Sequence, residues 1–262
     1  SIYFESPLKI NYDMKSLLLT INDFVYFIFN EKKFTTKYIM EQWVNTSGII
    51  SLVIQVIIFI LSLYTIQYNL SPKHQIVNKI LMVENVVQLI EIVFYSWLLF
   101  STIKPQGEIT WVRYFDWVFT TPAMLFSLVC FMVYVENPDQ IISLEGIWEK
   151  NAQSLLTIFI ANFLMLLFGF LGELKIGNKN LNVGLGFIAF FVSFWTIMKD
   201  FMGTHWINKA LFYFTFVLWF LYGVAALMSY NSKNIFYNIL DVFSKNITSL
   251  ALVIYIHYLV YN

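Results

Sequence analysis

Long apolar runs constrain this chain more than any other feature. There are seven, at 46–68, 76–100, 110–134, 152–173, 181–203, 207–230 and 235–260. A hydrocarbon layer about 30 Å thick is crossed by roughly 20 apolar residues in helical form. The runs are separated by turn compositions: Asn69-Leu70-Ser71-Pro72, Lys104-Pro105-Gln106-Gly107, Asn137-Pro138-Asp139, Gly177-Asn178-Lys179-Asn180 and Asn231-Ser232-Lys233-Asn234, with a weaker break at Gly203-Thr204-His205. The expected fold class is an all-α membrane protein. Short connections imply one bundle of seven transmembrane helices with neighbours antiparallel.

Composition agrees and excludes other classes. Only 12% of residues are charged and 59% are apolar, against about 25% charged in an ordinary soluble domain. The expected surround is membrane lipid. Net charge is zero and no basic run occurs, so no nucleic-acid partner is expected. Cys130 is the single cysteine, which rules out an intrachain disulfide. His74, His205 and His257 lie near the ends of different runs without metal-ligand spacing, so no metal site is expected. No catalytic constellation of an enzyme is found.

Residues 1–45 read differently. The stretch from Met14 to Asn30 is apolar but interrupted by Lys15 and Asp23, and Glu31-Lys32-Lys33 follows. It is expected to form an interfacial or extramembrane segment ahead of the 46–262 domain. No signal-peptide pattern is read before the first long run. Lysines do not orient the bundle. With the N-terminus outside, Lys104, Lys175, Lys179 and Lys233 fall outside, and Lys73, Lys79, Lys150, Lys199 and Lys209 inside, too even a split for the positive-inside rule.

Six ionisable residues lie deep within these runs: Glu84, Glu91, Arg113, Asp116, Asp241 and Lys245. Each costs about 2.5–3.5 kcal/mol at a helix centre, so each needs an internal partner or water. Asp241 and Lys245 stand at i, i+4, on one helix face. Arg113, Asp116 and Thr120 stand at i, i+3, i+7, also on one face. Arg113 is the only arginine of the chain, the side chain that keeps its charge in any environment. A buried lysine loses its proton readily and can form a Schiff base with an aldehyde. Once alkylated and protonated, its nitrogen is a fixed cation. Asp116 and Asp241 then balance that cation and Arg113, and the set sums to zero. A chromophore pocket would be apolar with a few directed polar groups. Its candidate walls are Trp117, Thr121, Met124, Met165, Gly169, Trp219 and Tyr222.

The run Trp111-Val112-Arg113-Tyr114-Phe115-Asp116-Trp117-Val118-Phe119-Thr120-Thr121-Pro122 resembles the third-helix signature of microbial (type 1) rhodopsins. Leu240-Asp241-Val242-Phe243-Ser244-Lys245 resembles their seventh-helix signature, and Trp219-Phe220-Leu221-Tyr222 the sixth-helix W-x-x-Y. The resemblance spans roughly 46–260. It implies all-trans retinal bound to Lys245 as a protonated Schiff base, with Asp116 as primary counterion and proton acceptor. It further implies Asp241 as second counterion, Arg113 as the charge below them and an extracellular N-terminus. Three positions depart from the pattern. Gly223 stands where a proline usually follows the W-x-x-Y tyrosine, Asn162 replaces a fourth-helix acid, and Ser127 occupies the position of an internal proton donor. The resulting Asp–Thr–Ser triplet is similar to that of rhodopsins from giant viruses. Met124, at the family's tuning position, suggests green absorption.

Two transport readings stand at this point. A pump needs groups that take and return protons in sequence; the acceptor Asp116 is present and no carboxylic donor is found on the third helix. A channel needs a continuous polar path. Glu84, Gln88, Glu91 and Tyr95 form a stripe on the second helix about 16 Å long. Ser51, Gln55 and Ser62 form another on the first, and Asn246 follows Lys245. Acid-lined paths favour cations. Ser51, Glu84 and Asn246 match the central-gate positions of cation channelrhodopsins, with Glu91 further along the path. The expectation is a light-gated cation channel, with an outward proton pump as the alternative and a sensory photoreceptor behind both. Glu84 and Glu91 as protonated glue between helices or protomers is the plainer reading of the stripe. Transported partners are small cations or protons, and a homo-oligomer is compatible with the family.

Overall fold

The computed structural model describes residues 39–101, 108 and 110–261. Contacts divide the chain into two units, Ser1–Trp43 and Val44–Asn262. Of the first, only helical residues 39–43 are described. The segment expected at 1–45 therefore lies, up to residue 38, outside the described residues, as does the Lys104–Gly107 break.

Seven helices make up the described chain, with no strand among the described residues. They are α1 (Ile39–Thr65), α2 (Gln75–Phe100), α3 (Thr110–Glu136), α4 (Leu144–Glu173), α5 (Lys179–Asp200), α6 (Trp206–Ala225) and α7 (Tyr230–Tyr261). Six are long and apolar enough to cross a membrane. The seventh, α2, has 26 residues, spans about 39 Å and carries Lys79, Glu84 and Glu91. The helices are inverted relative to those of a water-soluble protein. On α3, Phe115 and Phe119 are exposed, while Arg113, Asp116, Thr120 and Ser127 are buried. On α5, Ile188, Phe191, Val192 and Trp195 face outward. Such apolar exposure is stable in lipid, which leaves the polar groups to pair inside.

Two helix ends differ from the sequence expectation. A helical stretch starts ahead of the apolar run, at Leu144, where Ser143 accepts a hydrogen bond from the Gly146 backbone N–H at 3.0 Å; it kinks at Asn151 (φ −123°, ψ 20°), and the run expected from 152 follows that kink. Hydropathy misses such a start, since Glu145, Glu149 and Lys150 dilute it. Helix α7 begins at Tyr230, after Ser229, and takes in Asn231-Ser232-Lys233-Asn234, which reads as a turn by composition. Lys233 and Asn234 are polar there because they pair inside the bundle, not because they form a loop. The break between α5 and α6 stands where expected: Gly203 takes φ 58°, a left-handed conformation that suits glycine.

Neighbouring helices pack along one another, α4 against α5 and α2 against α3 most extensively. Helix α7 is not uniform. Val242–Asn246 forms a wider π-helical turn between α-helical halves. Such turns are rare and often sit at functional positions. This one carries Ser244, Lys245 and Asn246, all buried.

Candidate functional site

The π-turn of α7 aims Lys245 across the bundle at α3 and α2. Its Nζ lies 2.8 Å from Asp116 Oδ2, 3.1 Å from Glu91 Oε1 and 3.9 Å from Asp241 Oδ1. All four side chains are at most 2% exposed. Nζ donates a hydrogen bond to Asp116. Two of the contacts join residues paired by sequence; the third, from Glu91, was assigned by sequence to an ion path. Glu91 on α2 is therefore a third acid in the cluster, and the balance of two acids against two cations no longer holds.

Asp241 is tied down more fully than Asp116. Tyr222 donates to its Oδ1 at 2.6 Å and Tyr95 to its Oδ2 at 2.7 Å. Arg113 reaches the same Oδ2 at 3.4 Å. The guanidinium also donates to Asn234 at 3.1 Å, to the Tyr95 hydroxyl at 3.2 Å and to Asn238. Asn238 in turn donates to Ser47 Oγ at 2.9 Å, and Asn234 to Thr110 Oγ1 at 2.9 Å. Sequence reasoning missed Asn234 and Asn238. Their signal was present: with Asp241 and Lys245 they stand at i, i+4, i+7 and i+11, one face of a helix.

Beside Lys245 lies a cavity with about 750 Å³ of atom-free space, its mouth included. Trp117, Thr121, Met124, Met165, Gly169, Trp219 and Tyr222 all line it, and Lys245 and Ser244 close one end. Trp117 meets Tyr222 and Tyr237 edge-on, at 5.5 and 5.0 Å between ring centres. Thr121 accepts a hydrogen bond from Asn162 at 2.8 Å and donates to the Trp117 carbonyl at 2.7 Å. Thr120 turns the other way and donates to the Asp116 carbonyl. Two glycines shape the walls. A Cβ on Gly169 would stand 2.6 Å from the Tyr114 hydroxyl, and one on Gly223 would stand 2.5 Å from the Phe187 ring. Each therefore lets an aromatic side chain close in. Phe187, Tyr114 and Tyr237 were not anticipated as walls; in a chain with 27 phenylalanines and 16 tyrosines, composition does not single them out.

The residues expected to form a gate are buried but are not joined to one another. Ser51 accepts from Gln55 at 3.1 Å. Glu84 faces Ser127 of α3. Among the described residues no hydrogen bond links Ser51, Glu84 and Asn246. Glu84 and Glu91 share one face of α2, and Glu84, seven residues back, stands about 10 Å from Glu91 along the helix axis, at the level of Ser127. A polar seam nonetheless runs along α1, α2 and α7. Ser51, Gln55, Ser62, Glu84, Gln88, Glu91, Asn246 and Ser249 are each at most 1% exposed, and Gln88 donates to Ser249 at 3.1 Å. At the end of the bundle away from Arg113, Tyr134 shares a 2.7 Å hydrogen bond with His74 Nδ1 and lies 3.1 Å from the Tyr255 hydroxyl. Among the described residues, no group of three His, Cys, Asp or Glu is placed to hold a metal ion.

Comparison with solved structures gives the same architecture. Viral rhodopsin OLPVRII is similar at 26% identity and a TM-score of 0.71, covering 81% of this chain and 96% of that one. Thermophilic rhodopsin from Rubrobacter xylanophilus, at 18% identity and a TM-score of 0.67, covers 83% of this chain and 97% of its own. Halorhodopsin, a light-driven chloride pump, follows at 19% and 0.63, covering 83% and 98%. The last two likenesses concern the fold alone. A comparison with curated proteins finds no match. The model of the bacteriorhodopsin-like protein family matches residues 45–259, most of the chain. The chain belongs to the bacteriorhodopsin-like family, and membership implies a retinal chromophore.

Proposed function

We propose that this chain binds all-trans retinal through a protonated Schiff base at Lys245 and opens a path for cations when it absorbs light. The observation that carries the conduction reading is the buried seam of Ser51, Gln55, Glu84, Gln88, Glu91, Asn246 and Ser249 running past Lys245. The residues present fit the chromophore: the cavity is apolar, long enough to involve α3 to α7, and ends at the one lysine that lines it. When bound, retinal supplies absorption of visible light and a change of shape next to the lysine nitrogen. Asp116 holds the nitrogen's positive charge at its nearest contact and takes its proton. Arg113, Tyr95 and Tyr222 hold the Asp241 carboxyl group in place. Trp117, Trp219 and Met124 exclude water from the cavity, which strengthens those charge interactions. Conduction then requires the seam to hydrate between its two closed ends, the Arg113 cluster and the His74–Tyr134–Tyr255 cluster. The N-terminus outside, as in the family, puts the Arg113 cluster on the extracellular side.

An outward proton pump is the second reading, and one observation favours it. Glu84 faces Ser127, so α2 brings a carboxyl to the place where α3 lacks one. The two readings separate in a voltage-clamp recording of photocurrent from retinal-loaded protein, wild type and Glu84→Gln, with cation gradients in both directions. The channel reading predicts a current that changes sign with the gradient, and a Glu84→Gln variant of nearly normal colour with altered conductance or ion preference. Glu84 does not line the cavity, so the substitution leaves the cavity intact. Current of fixed direction at all voltages, slowed in its recovery by Glu84→Gln, would overturn the channel reading in favour of the pump.

A further inference from the structure

Glu91 is not accounted for by a counterion pair. Its Oε1 stands 3.1 Å from Lys245 Nζ, only slightly farther than Asp116 at 2.8 Å, and its side chain is fully buried. The charged groups facing it are Lys245 and Asp241 on α7 and Asp116 on α3, with the Tyr222 phenol on α6 also nearby. Tyr95 lies one turn along on α2 itself. With Arg113 the cluster holds three acids against two cations. An unbalanced buried charge is expensive, and interacting acids share protons as a group.

Attachment of a chromophore sharpens the imbalance. A lysine ammonium has three N–H donors and can serve Asp116 and Glu91 together. Once the nitrogen is a protonated Schiff base it keeps one N–H, which serves one acid. Asp116 is the nearer. Asp241 has its own donors in Tyr95, Tyr222 and Arg113. Glu91 takes no hydrogen bond from any other described residue, and Asp116 Oδ1 likewise has no donor among them. We propose that Glu91 holds a proton in the dark as the neutral third acid of the Lys245 cluster, a proton store on α2 where the counterions meet the polar seam. The proton removes the surplus charge and gives Glu91 a donor of its own.

The inference rests on the retinal–Lys245 reading, and its test can fail separately. Absorption spectra are recorded for retinal-loaded wild type, Glu91→Gln and Asp116→Asn at neutral pH, followed by alkaline titration. Failure of the lysine reading shows as a wild type that forms no visible band at all. If Glu91 is neutral, Glu91→Gln removes no charge, and its maximum stays close to wild type while Asp116→Asn shifts far to the red. Alkaline pH then ionises Glu91 in the wild type, adds a negative charge beside the nitrogen and shifts the band to the blue. Glu91→Gln loses that shift. A red shift in Glu91→Gln comparable to Asp116→Asn would mean an ionised Glu91 and would overturn the proposal. Should Glu91→Gln form no pigment, wild type and Glu91→Asp are compared by light-minus-dark infrared difference spectra. A protonated-carboxyl carbonyl band that moves in Glu91→Asp is expected, and a band unmoved by that change overturns the proposal. A red shift driven by sodium at constant pH would put a metal cation in place of the proton and would also overturn it.

Discussion

Lys245, Asp116, Asp241 and Arg113 come from two helices 128 residues or so apart along the chain, and they meet within one hydrogen-bonded cluster. Each pair on one helix was legible in the sequence, because i, i+3 and i+4 spacing fixes which side chains share a face. What spacing does not contain is the level at which one helix stands against another. Glu91, on one stripe with Glu84, stands level with Lys245, while Glu84, about 10 Å along the axis, stands at the level of Ser127. The cluster predicts an asymmetry between its acids. Asp116→Asn removes the nearest negative charge from the proposed protonated nitrogen. The ground state is then destabilised more than the excited state, in which positive charge moves toward the ring, and absorption shifts to the red. A visible spectrum of the purified, retinal-loaded variant checks this; an unchanged maximum would transfer the counterion role to another acid.

At the level of elements, the apolar runs located all seven helices, since a span of roughly 20 apolar residues has few other solutions. Their ends were less legible because polar residues there serve two purposes. Ser143 starts α4 by capping it, with Glu145 in its first turn, whereas Lys233 and Asn234 are polar because they have partners within the bundle. Lys233 Nζ donates to both oxygens of Glu173 at 2.6 Å, and both side chains are 6% exposed or less. This ion pair fastens the first turn of α7 to the last turn of α4. Lys233→Met leaves the Glu173 carboxylate buried without its partner and is expected to destabilise the protein by about 3–5 kcal/mol. The double variant Lys233→Met/Glu173→Leu removes the stranded charge and should recover most of that loss. Thermal unfolding of the three variants in one detergent measures both effects. Equal destabilisation in the single and double variants would refute the pairing.

Across the whole molecule, the seam is closed at both ends by tyrosines bonded to groups on other helices. The end away from Arg113 carries a titratable group, His74. Burial, with Lys73 beside it, holds the His74 imidazole below its ordinary value, and the neutral ring shares its Nδ1 with Tyr134. A depressed value means that the unfolded chain binds the proton more readily. The stabilisation is therefore present above the ordinary histidine range, near pH 6.5, and is lost as pH falls through the folded value. Melting temperature should fall on acidification across roughly pH 5 to 7. His74→Phe, which keeps the ring and removes the titration, should flatten that slope. A slope unaltered by His74→Phe would assign the pH dependence elsewhere. Neither closure was visible in the sequence, where His74 stands alone beside a proline-containing turn and Tyr134 and Tyr255 are two tyrosines among 16.

The spectral and conduction expectations depend on the atom that carries the chromophore. Two lysines are buried among the described residues, Lys233 and Lys245. The first is held by Glu173, and the second lines the cavity. Borohydride reduction of the illuminated, retinal-loaded protein makes the linkage permanent, and peptide mass spectrometry then locates it. The account predicts a retinyl mass on the peptide containing Lys245 and none in Lys245→Ala, which should also lack the visible band. A retinyl mass on Lys233 or another lysine, or a Lys245→Ala protein that keeps its colour, would contradict it.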